Sequence, residues 1–540
     1  MFRAPSFIAA AVIALTLPVC GAARAAADTP PARAVAPAES VAEPGFDVEA
    51  YDVDGNSLLD PRAIEKAVYP HLGPGRSKAE IEGARQALED AYHSRGYDSV
   101  VVEIPAQTVA DHVVRLQVVE TTVGRLRVTG ARYYSIEDIK RQTPALTEGQ
   151  VPNFGAAQTQ IAELNRSPGR QVTPLVQPGK IPGTVDIDLK VTDQSPVHAS
   201  LEINNDHPAD TTPLRMTATV RYDNLWQLGH TYSFSYAVAP EDRSQSEVYA
   251  ASYLAPVADS RWSVLLYGYH SNSNVATLGE VAVLGKGYAV GLRGIDQLPA
   301  IGPVSQTLSL GFDFKHFYQL VSSGSSKAPP VLTTIDYWPL NAVYSLQLDT
   351  AASSTHASFG VTAGLRGADR GEAIFELSRA YARGDFVHVN VDLDHTSNLP
   401  FGMAANLRLT GQISNSPLVS GEQFSAGGLG SVRGYRQSAA VGDNGVFASA
   451  ELRGPPITFA PRRLIDDWRA FVFGDAGDAW PIHALPDQKD EFPLYSAGFG
   501  TRFQLLERVD GDLLLGVPLA AARGSEVGRA YTMFSLKAGF

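Results

Sequence analysis

The chain has 540 residues, of which 44% are apolar, 9% aromatic and 19% charged, and this length fits two or three modules better than one domain. Outside roughly the first 20 positions no run of about 18 apolar residues occurs, which argues against a helical membrane protein. The formal net charge of −13 argues against a nucleic-acid-binding protein, which normally carries a basic face.

The N-terminus is typical of a secretory signal peptide spanning residues 1–27. Arg3 supplies the positive start, and residues 7–17 form a short apolar run. Small residues at 23–27 then offer cleavage sites ahead of Asp28. The sequence therefore predicts an exported protein.

The competing interpretation of this segment is a lipoprotein signal that ends at Cys20. Val19 argues against it, because small residues normally precede a lipidated cysteine. Cys20 is the only cysteine, so cleavage of the signal leaves a mature chain without one. Disulfides, thiolate catalysis and cysteine-based metal sites are then excluded.

The exported chain divides into parts of different pattern. Residues 28–45 are rich in Ala and Pro and predict a disordered or extended leader. Residues 46–120 and 121–195 both alternate helix and strand patterns, whereas residues 196–540 contain almost no helix pattern. We therefore expect two small mixed units followed by one large β unit.

The two small units repeat one order of elements. In the first, Asp60 and Pro61 are typical of a helix start, and Ser77 with Glu80 forms the capping box of a second helix. The first unit is predicted to contain a strand at 46–53, helices from 61 and from 77 to 96, and strands at 99–104 and 112–119. The second is predicted to contain a strand at 123–128, a short helix capped by Ser135 and Asp138, a helix at 153–165, and strands at 171–176 and 184–191.

The order strand, helix, helix, strand, strand resembles the polypeptide-transport-associated (POTRA) domain. Residues 164–174, together with residues 178–179 and 182–189, closely resemble the second such domain of two-partner secretion transporters. A generic small α+β domain is the alternative for either copy alone. Two copies in tandem directly before a large β unit favour the POTRA interpretation.

The large unit alternates apolar and polar residues in runs of about ten, which is typical of transmembrane β-barrels. Val387, Val389, Val391 and Leu393, for example, alternate with polar neighbours. Sixteen strands are predicted, near 197–204, 214–223, 230–238, 246–254, 261–270, 286–297, 304–318, 334–349, 355–366, 384–395, 402–414, 443–453, 468–478, 494–504, 508–517 and 531–540. A soluble half-buried sheet alternates in the same way, but only a closed barrel crosses a bilayer without an unpaired edge.

Connection lengths give an independent check, because periplasmic turns are short and external loops long in such barrels. With the N-terminus inside, connections after even-numbered strands should be short, and 224–229, 255–260 and 397–400 are short. The connections after odd-numbered strands are longer, at 271–285, 319–333, 367–383, 415–442, 479–493 and 518–530. Only 454–467 is longer than expected for a periplasmic turn. The alternation of short and long connections therefore predicts that both ends of the barrel chain are periplasmic.

The last predicted strand ends the chain on an aromatic residue. Phe534, Leu536 and Phe540 share one of its faces, and Tyr531 begins it. An alternating strand with a terminal Phe resembles the signal that the outer-membrane assembly machinery reads. These four residues are therefore the expected assembly signal.

Two short motifs lie in the barrel unit, one in the sixth external loop and one in the thirteenth strand. The loop motif is Val432, Arg433, Gly434 and Tyr435, and the strand motif contains Phe473, Asp475 and Gly477. They resemble the Val-Arg-Gly-Tyr loop and the Phe-x-Asp-x-Gly strand of the superfamily of outer-membrane insertases and two-partner transporters. The strand count places both motifs on the elements where that superfamily carries them.

This resemblance implies that the loop folds into the lumen, where Arg433 meets Asp475. A carboxylate with fork geometry offsets the cost of a guanidinium in a narrow lumen. Taken singly, Arg433 is equally compatible with a solvated loop arginine, and Asp475 with an ordinary lumen-facing carboxylate. Many family members also carry an N-terminal plug helix, but the proline-rich leader at 28–45 argues against one here.

No catalytic or cofactor site is predicted. The 12 histidines show no metal-ligand spacing such as His-Glu-x-x-His. His388 and His395, which share a strand with Asp392 and Asp394, are assigned to the polar lumen. No nucleophile elbow or phosphate-binding loop occurs, so we expect neither an enzyme nor a cofactor.

The resemblance implies a mainly β fold, with a 16-stranded antiparallel transmembrane barrel after two small α+β POTRA domains. It implies a Gram-negative outer-membrane location, with residues 28–195 in the periplasm. The implied function is a pore that recognises an unfolded exported partner protein through the POTRA domains and secretes it. The alternative is an outer-membrane insertase or assembly factor, while a passive porin needs no periplasmic pair. Expected partners are the secreted exoprotein, the assembly machinery and the lipid bilayer, without nucleic acid, and we expect a monomer.

Overall fold

A computed structural model describes residues 45–108, 111–165, 169–258, 260–273, 275–278, 281–284, 286–321, 331–365, 372–457, 465–485 and 488–540. The predicted signal peptide and nearly all of the predicted leader lie outside these residues. No helix within these ranges is long and apolar enough to span a membrane. The chain forms two compact units. The first comprises the chain up to Ala91 together with Val102–Val118, and the second comprises Tyr92–Val101 together with Val119–Phe540.

The first α+β repeat contains a three-stranded sheet and two helices. Its elements are β1 (Phe46–Val48), β2 (Ala50–Asp54), α1 (Pro61–Val68), β3 (Gly73–Arg76), α2 (Lys78–His93), β4 (Val100–Glu103) and β5 (Val113–Glu120). The sheet order is β2-β5-β4, with β2 parallel to β5. Val48, Ile81 and Val114 are buried together in its core.

The helix starts of this repeat follow from the caps seen in the sequence. The Asp60 carboxylate accepts the Ala63 N–H at 2.8 Å, and Glu80 accepts the Ser77 N–H at 2.8 Å. The strand predicted at 46–53 is instead two strands, because β1 leaves the main sheet to pair with the unpredicted strand β3.

The second α+β repeat has the predicted order of elements. It consists of β6 (Thr122–Thr129), α3 (Ile136–Arg141), α4 (Phe154–Leu164), β7 (Arg170–Pro178) and β8 (Thr184–Asp193). The sheet order is β6-β8-β7, so β7 is an edge strand. Ile139, Leu164, Ile187 and Leu189 are fully buried between the helices and the sheet.

The rest of the chain is a closed barrel. Its strands and the short strands and helix in its loops are β9 (Val197–Asn204), β10 (Arg215–Leu225), β11 (His230–Val238), β12 (Glu247–Pro256), β13 (Trp262–Ser271), β14 (Val275–Leu278), β15 (Val281–Leu284), β16 (Lys286–Ile301), β17 (Val304–Val321), β18 (Val331–Tyr337), β19 (Pro339–Asp349), β20 (Ser353–Gly364), α5 (Glu372–Ser378), β21 (Val387–Asn398), β22 (Ala404–Ser414), β23 (Phe424–Ala426), β24 (Ala440–Gly442), β25 (Asn444–Arg453), β26 (Ile465–Trp480), β27 (Leu494–Leu505), β28 (Val509–Pro518) and β29 (Tyr531–Gly539). All neighbouring barrel strands are antiparallel, and β29 closes the sheet against β9.

The barrel has sixteen strands, as predicted, because β18 and β19 are two halves of one strand. Both pair with β17, and the pairs Lys315↔Tyr337 and Phe312↔Leu340 keep one register across the break. Pro339 follows the break and has no N–H to donate to the ladder, which accounts for the interruption.

Alternation along β21 corrects one interpretation of the histidines. His388 and Asp392 face the lumen, where Asp392 accepts the Thr410 hydroxyl at 2.8 Å. His395 has the opposite parity and lies on the outer face beside Leu407, so its assignment to the lumen is wrong. Its ring nitrogens instead contact Thr355 at 2.8 Å and Ser397 at 2.7 Å.

The external loops contain structure that the alternation pattern does not predict. Residues 372–378 form α5, where only a loop is expected. Phe375 on this helix is buried against Tyr337 and Phe386. A helix of two turns has little intrinsic stability, so this packing against the barrel mouth explains its presence. The local sequence does not encode that packing.

Candidate functional site in the barrel lumen

The sixth external loop, residues 415–443 between β22 and β25, folds back into the barrel. β23 and β24 pair as a short hairpin within it, from Phe424↔Gly442 to Ala426↔Ala440. Beyond this hairpin, Val432 and Tyr435 are almost fully buried against Phe447 and Leu494 of the wall. The predicted loop motif therefore lies inside the lumen.

Arg433 and Asp475 meet in this lumen with fork geometry. The guanidinium donates from Nε to Asp475 Oδ2 and from Nη2 to Oδ1, each at 2.9 Å. The backbone N–H of Arg433 also donates to Oδ2 at 2.9 Å. The Asp475 side chain is fully buried and Arg433 is only 7% exposed, so both charges depend on these contacts.

Two residues that the motifs do not contain complete the cluster. Glu451 of β25 accepts the Nη1 donor of Arg433, and Ser449 accepts from Nη2 at 3.0 Å while donating to Asp475 at 2.7 Å. Arg453 Nε donates to the Glu451 carboxylate at 2.7 Å and so compensates the second negative charge. The alternation of β25, which turns Ser449 and Glu451 to the lumen, was the sequence signal for them. We call Arg433, Asp475, Glu451 and Ser449 the tip cluster.

The remaining motif residues pack around this cluster. The ring of Phe473 lies 3.7 Å from the guanidinium carbon of Arg433, so the cation rests on an aromatic face. Gly477 allows close packing of Val432, since a Cβ there would lie 2.9 Å from the valine methyl. Gly434 has φ +87, and a Cβ on it would lie 2.9 Å from the backbone of Gly516 in β28.

Tyr435 ties the loop to the last part of the barrel. Its hydroxyl lies 2.8 Å from the carbonyl of Tyr495 and accepts the Ala520 N–H at 3.0 Å. The Gly434 N–H lies 3.2 Å from the sulfur of Met533 in the terminal strand. The tip of the sixth loop is therefore held by β25 to β29.

The returning arm of the loop contacts the first external loop, residues 205–214. The Gln437 N–H donates to the His207 carbonyl at 3.0 Å, and Arg436 Nη1 lies 2.6 Å from the His207 ring. Asp206 is partly buried, and its Oδ1 atom is inaccessible to solvent and has no hydrogen-bond partner among the residues that the structure describes. Burial raises the pKa of Asp206 to about 6.

The end of the loop is joined to two other external loops through Asp443, whose side chain is fully buried. Arg379, directly after α5, donates both terminal nitrogens to the Asp443 carboxylate. The same carboxylate accepts the N–H groups of Leu418 at 2.8 Å and Ile482 at 2.7 Å. The fifth, sixth and seventh loops therefore share one buried anion.

The four residues of the expected assembly signal lie on β29 and at its end, on both of its faces. Leu536 and Phe540 are exposed on the outer face, Phe540 at 73%, and Phe534 shares their parity. Tyr531 has the opposite parity, and the guanidinium of Arg436 lies 5.2 Å from its ring. Any plug helix in the leader would fall outside the described residues.

Comparisons with known proteins agree with this architecture. Residues 46–121 match the POTRA domain, ShlB-type. The chain is 20% identical over 424 residues to the outer membrane transporter CdiB of Dickeya dadantii, covering 76% of this chain and 72% of the relative. The structure of CdiB from Escherichia coli resembles it with a TM-score of 0.62 at 19% identity, over 95% of this chain and 93% of that one.

A second solved structure shows that the fold is shared more widely. BamA from Haemophilus ducreyi, lacking its POTRA domains 1–3, has a TM-score of 0.55 at 17% identity and covers 92% of this chain and 99% of its own. Likeness at this identity concerns the fold alone. The family Haemolysin secretion/activation protein ShlB/FhaC/HecB matches residues 183–299 and 331–503, more than half of the chain, and the chain therefore belongs to this family.

Proposed function

We propose that this chain is the outer-membrane pore of a two-partner secretion system, which moves an unfolded exported protein from the periplasm to the cell surface. The observation that carries the proposal is the tip cluster. It seats a loop across the lumen of a closed sixteen-stranded barrel, directly after two α+β repeats. A passive porin needs neither the repeats nor a loop held by buried charges.

The first α+β repeat offers the better edge for an extended substrate strand. The outward-facing backbone groups of Val102 in β4 are satisfied by side chains rather than by a strand. The Val102 N–H donates to Glu89 at 3.0 Å, and its carbonyl accepts from Arg85 at 3.1 Å. Side chains of this kind are displaced more easily than a paired strand, so an incoming chain can replace them by strand addition.

The second repeat offers a poorer edge. β7 carries Pro174 and Pro178, and the Gly179 N–H bonds back to Thr184 in the paired hairpin, so even-numbered positions face away from β8. Two of the three outward positions from 174 to 178 therefore lack an N–H donor. Proline on an edge strand blocks the addition of another strand.

This difference gives two proline substitutions, one on each edge strand, that test the function. Val102→Pro removes the outward donor of β4 without removing a bond within the sheet, and we expect it to reduce export of the partner protein strongly. Val176→Pro places a third proline on the β7 edge and should leave export close to wild type. Both variants should reach the outer membrane, since the barrel is untouched.

The measurement is the amount of partner protein released to the medium, normalised to folded barrel in the membrane. Deletion of residues 46–193 should abolish release while the barrel still inserts. Normal release by that deletion would contradict the secretion model. Impaired insertion of other barrel proteins in a null strain would favour the insertase alternative.

We also infer that the assembly machinery recognises β29 through Phe534, Leu536 and Phe540, and that the protein works as a monomer. Phe540 supports the first inference, because its ring is exposed at the end of the barrel's closing strand. Truncation of Phe540 should lower the amount of folded barrel in the membrane rather than the export per folded barrel.

A further inference from the structure

The sixth loop is held on two different walls of the barrel. Its tip cluster lies on β25 and β26. Its root, the turn Ser420–Glu422 where the loop enters the lumen, lies against β17, β18 and β21 instead. The loop therefore spans the lumen between two sets of contacts, and the tip accounts for only one of them.

Glu422 makes the contacts at the root. Its Oε1 atom accepts from Lys315 Nζ at 2.6 Å and from the Tyr337 hydroxyl at 2.7 Å. Its Oε2 atom lies 3.3 Å from His388 Nε2. The Gln412 side chain donates to the Glu422 carbonyl at 2.9 Å. We call Glu422, Lys315, Tyr337 and His388 the root cluster.

The wall side of this cluster is built for a carboxylate. Lys315 and His388 converge from two strands, and their side chains are 15% and 7% exposed. Glu422, at 4%, is the acid that faces them both. A buried ammonium that loses the carboxylate bonded to it is left uncompensated at a cost, so withdrawal of the loop root from this wall is opposed.

The backbone of the root also fits closely against this wall. A Cβ on Gly421 would lie 2.8 Å from the Phe317 ring and 3.0 Å from the Tyr337 hydroxyl. Leu418 and Val419, just before it, are buried with Phe317 and Phe375. The root is therefore seated by shape as well as by charge.

We propose that Glu422 is a second positioning residue of the sixth loop, which holds the loop root across the lumen and keeps the resting pore closed independently of Arg433. The proposal rests on the pore function proposed above. It concerns the resting state, so it is tested on purified full-length protein without any exported partner. Its failure therefore leaves the export test of Val102→Pro unaffected.

The experiment measures ion conductance in planar bilayers and the sensitivity of the loop to trypsin. Glu422→Gln and Lys315→Gln should each raise the mean conductance severalfold, and Tyr337→Phe should raise it less. The double variant should conduct no more than either single one, because both remove the same interaction. Trypsin should still fail to cleave after Arg433 in Glu422→Gln, whereas Asp475→Asn should allow that cleavage.

Asp313→Asn is the matched control. Asp313 lies on the same strand as Lys315 and its side chain is 4% exposed, as is that of Glu422. Its partners all belong to the wall: Arg293 at 2.8 Å, Tyr267 at 2.7 Å and Asn341 at 3.1 Å. The conductance of Asp313→Asn should stay at the wild-type value. This result would show that release of the loop, and not a simple change of charge in the lumen, raises the conductance of the Glu422 and Lys315 variants.

Three results would overturn the proposal. These are wild-type conductance in both Glu422→Gln and Lys315→Gln, an equal rise in Asp313→Asn, or cleavage after Arg433 in Glu422→Gln. Heat-modifiable migration on gels identifies correctly folded barrels. If Glu422→Gln does not fold, Lys315→Gln and Tyr337→Phe decide the question.

Discussion

At the residue scale, Arg433 occupies a site that only a guanidinium fills. Nε and Nη2 bind the two oxygens of Asp475, Nη1 binds Glu451, and Phe473 stacks on the planar group. A lysine carries the charge but cannot reproduce this fork. Arg433→Lys should therefore impair export nearly as much as Arg433→Ala, while both proteins still reach the outer membrane.

The size of the effect depends on how dry the lumen is. Breaking a buried pair from one side costs about 3–5 kcal/mol in a water-free site and less in a wet one. Export by Arg433→Ala, Asp475→Ala and the double variant should be similar, because coupled residues lose one shared interaction. Additive losses, or normal export by Arg433→Lys, would contradict the role of the pair.

Asp206 gives a second prediction at this scale, in the contact between the first and sixth loops. Its raised pKa means that the folded loop favours the neutral carboxyl. The Asp206 carboxyl stabilises the folded loop fully at a pH below its pKa in the unfolded chain, which is near 4. This stabilisation is lost as the pH rises through about 6, the pKa of Asp206 in the folded loop. Hydrogen exchange in residues 205–214, corrected for the intrinsic rate, should therefore be faster at pH 8 than at pH 5.

Asp206→Asn is the control for this pH effect, because the amide is neutral throughout the range. The variant should exchange slowly at both pH values. A pH dependence that persists unchanged in Asp206→Asn would assign the effect to another group, such as His207.

At the scale of elements, the strands were predictable because each one satisfies two constraints at once. Alternation along β21 and β22 sets their faces, and the parity of connection lengths sets their direction. Caps such as Ser77 with Glu80 are local, so they also showed in the sequence. The order of the second α+β repeat and the sixteen strands followed from such local patterns, whereas the β1–β3 pair of the first repeat did not.

The parts that the sequence did not show depend on distant partners. Helix α5 is stabilised by Phe375, which packs on Tyr337 of β18, a strand that lies far from the helix in the chain. Of the tip cluster, only Arg433 and Asp475 belong to recognisable motifs, and Glu451 and Ser449 resembled any lumen-facing polar residue. Glu422 gave no signal, since its meaning comes from Lys315 and His388 on other strands.

Asp443 gives a prediction at this scale, because it joins three loops. Asp443→Ala leaves Arg379 without its carboxylate and removes an acceptor from the N–H groups of Leu418 and Ile482. We expect the fifth loop to become sensitive to trypsin after Arg379 on intact cells, with the barrel itself still resistant. Asp385→Asn, which breaks only the exposed pair with Arg383, should leave the loop protected. Protection in both variants would show that Asp443 does not hold the loop.

At the scale of the whole molecule, the orientation of the barrel in the membrane is the decisive property. Asp210 lies exposed in the first external loop, and Phe401, 92% exposed, lies in a turn predicted to face the periplasm. Single cysteines at these positions have little background, since Cys20 is the chain's only cysteine and falls in the predicted signal. An impermeant maleimide should label position 210 on intact cells and position 401 only after permeabilisation; the reverse result would invert the topology.

The two-walled seating of the sixth loop also fixes when the protein can seal itself during biogenesis. Lys315 and His388 belong to strands synthesised before the loop, whereas Asp475, Tyr495 and Met533 belong to strands synthesised after it. Both sets come within reach of one loop only when the sheet has curled far enough to bring its last strands opposite its middle ones. A barrel whose assembly stops before its final strands are inserted would thus be an open pore in the outer membrane. We therefore expect rapid completion or degradation of each copy to benefit the cell.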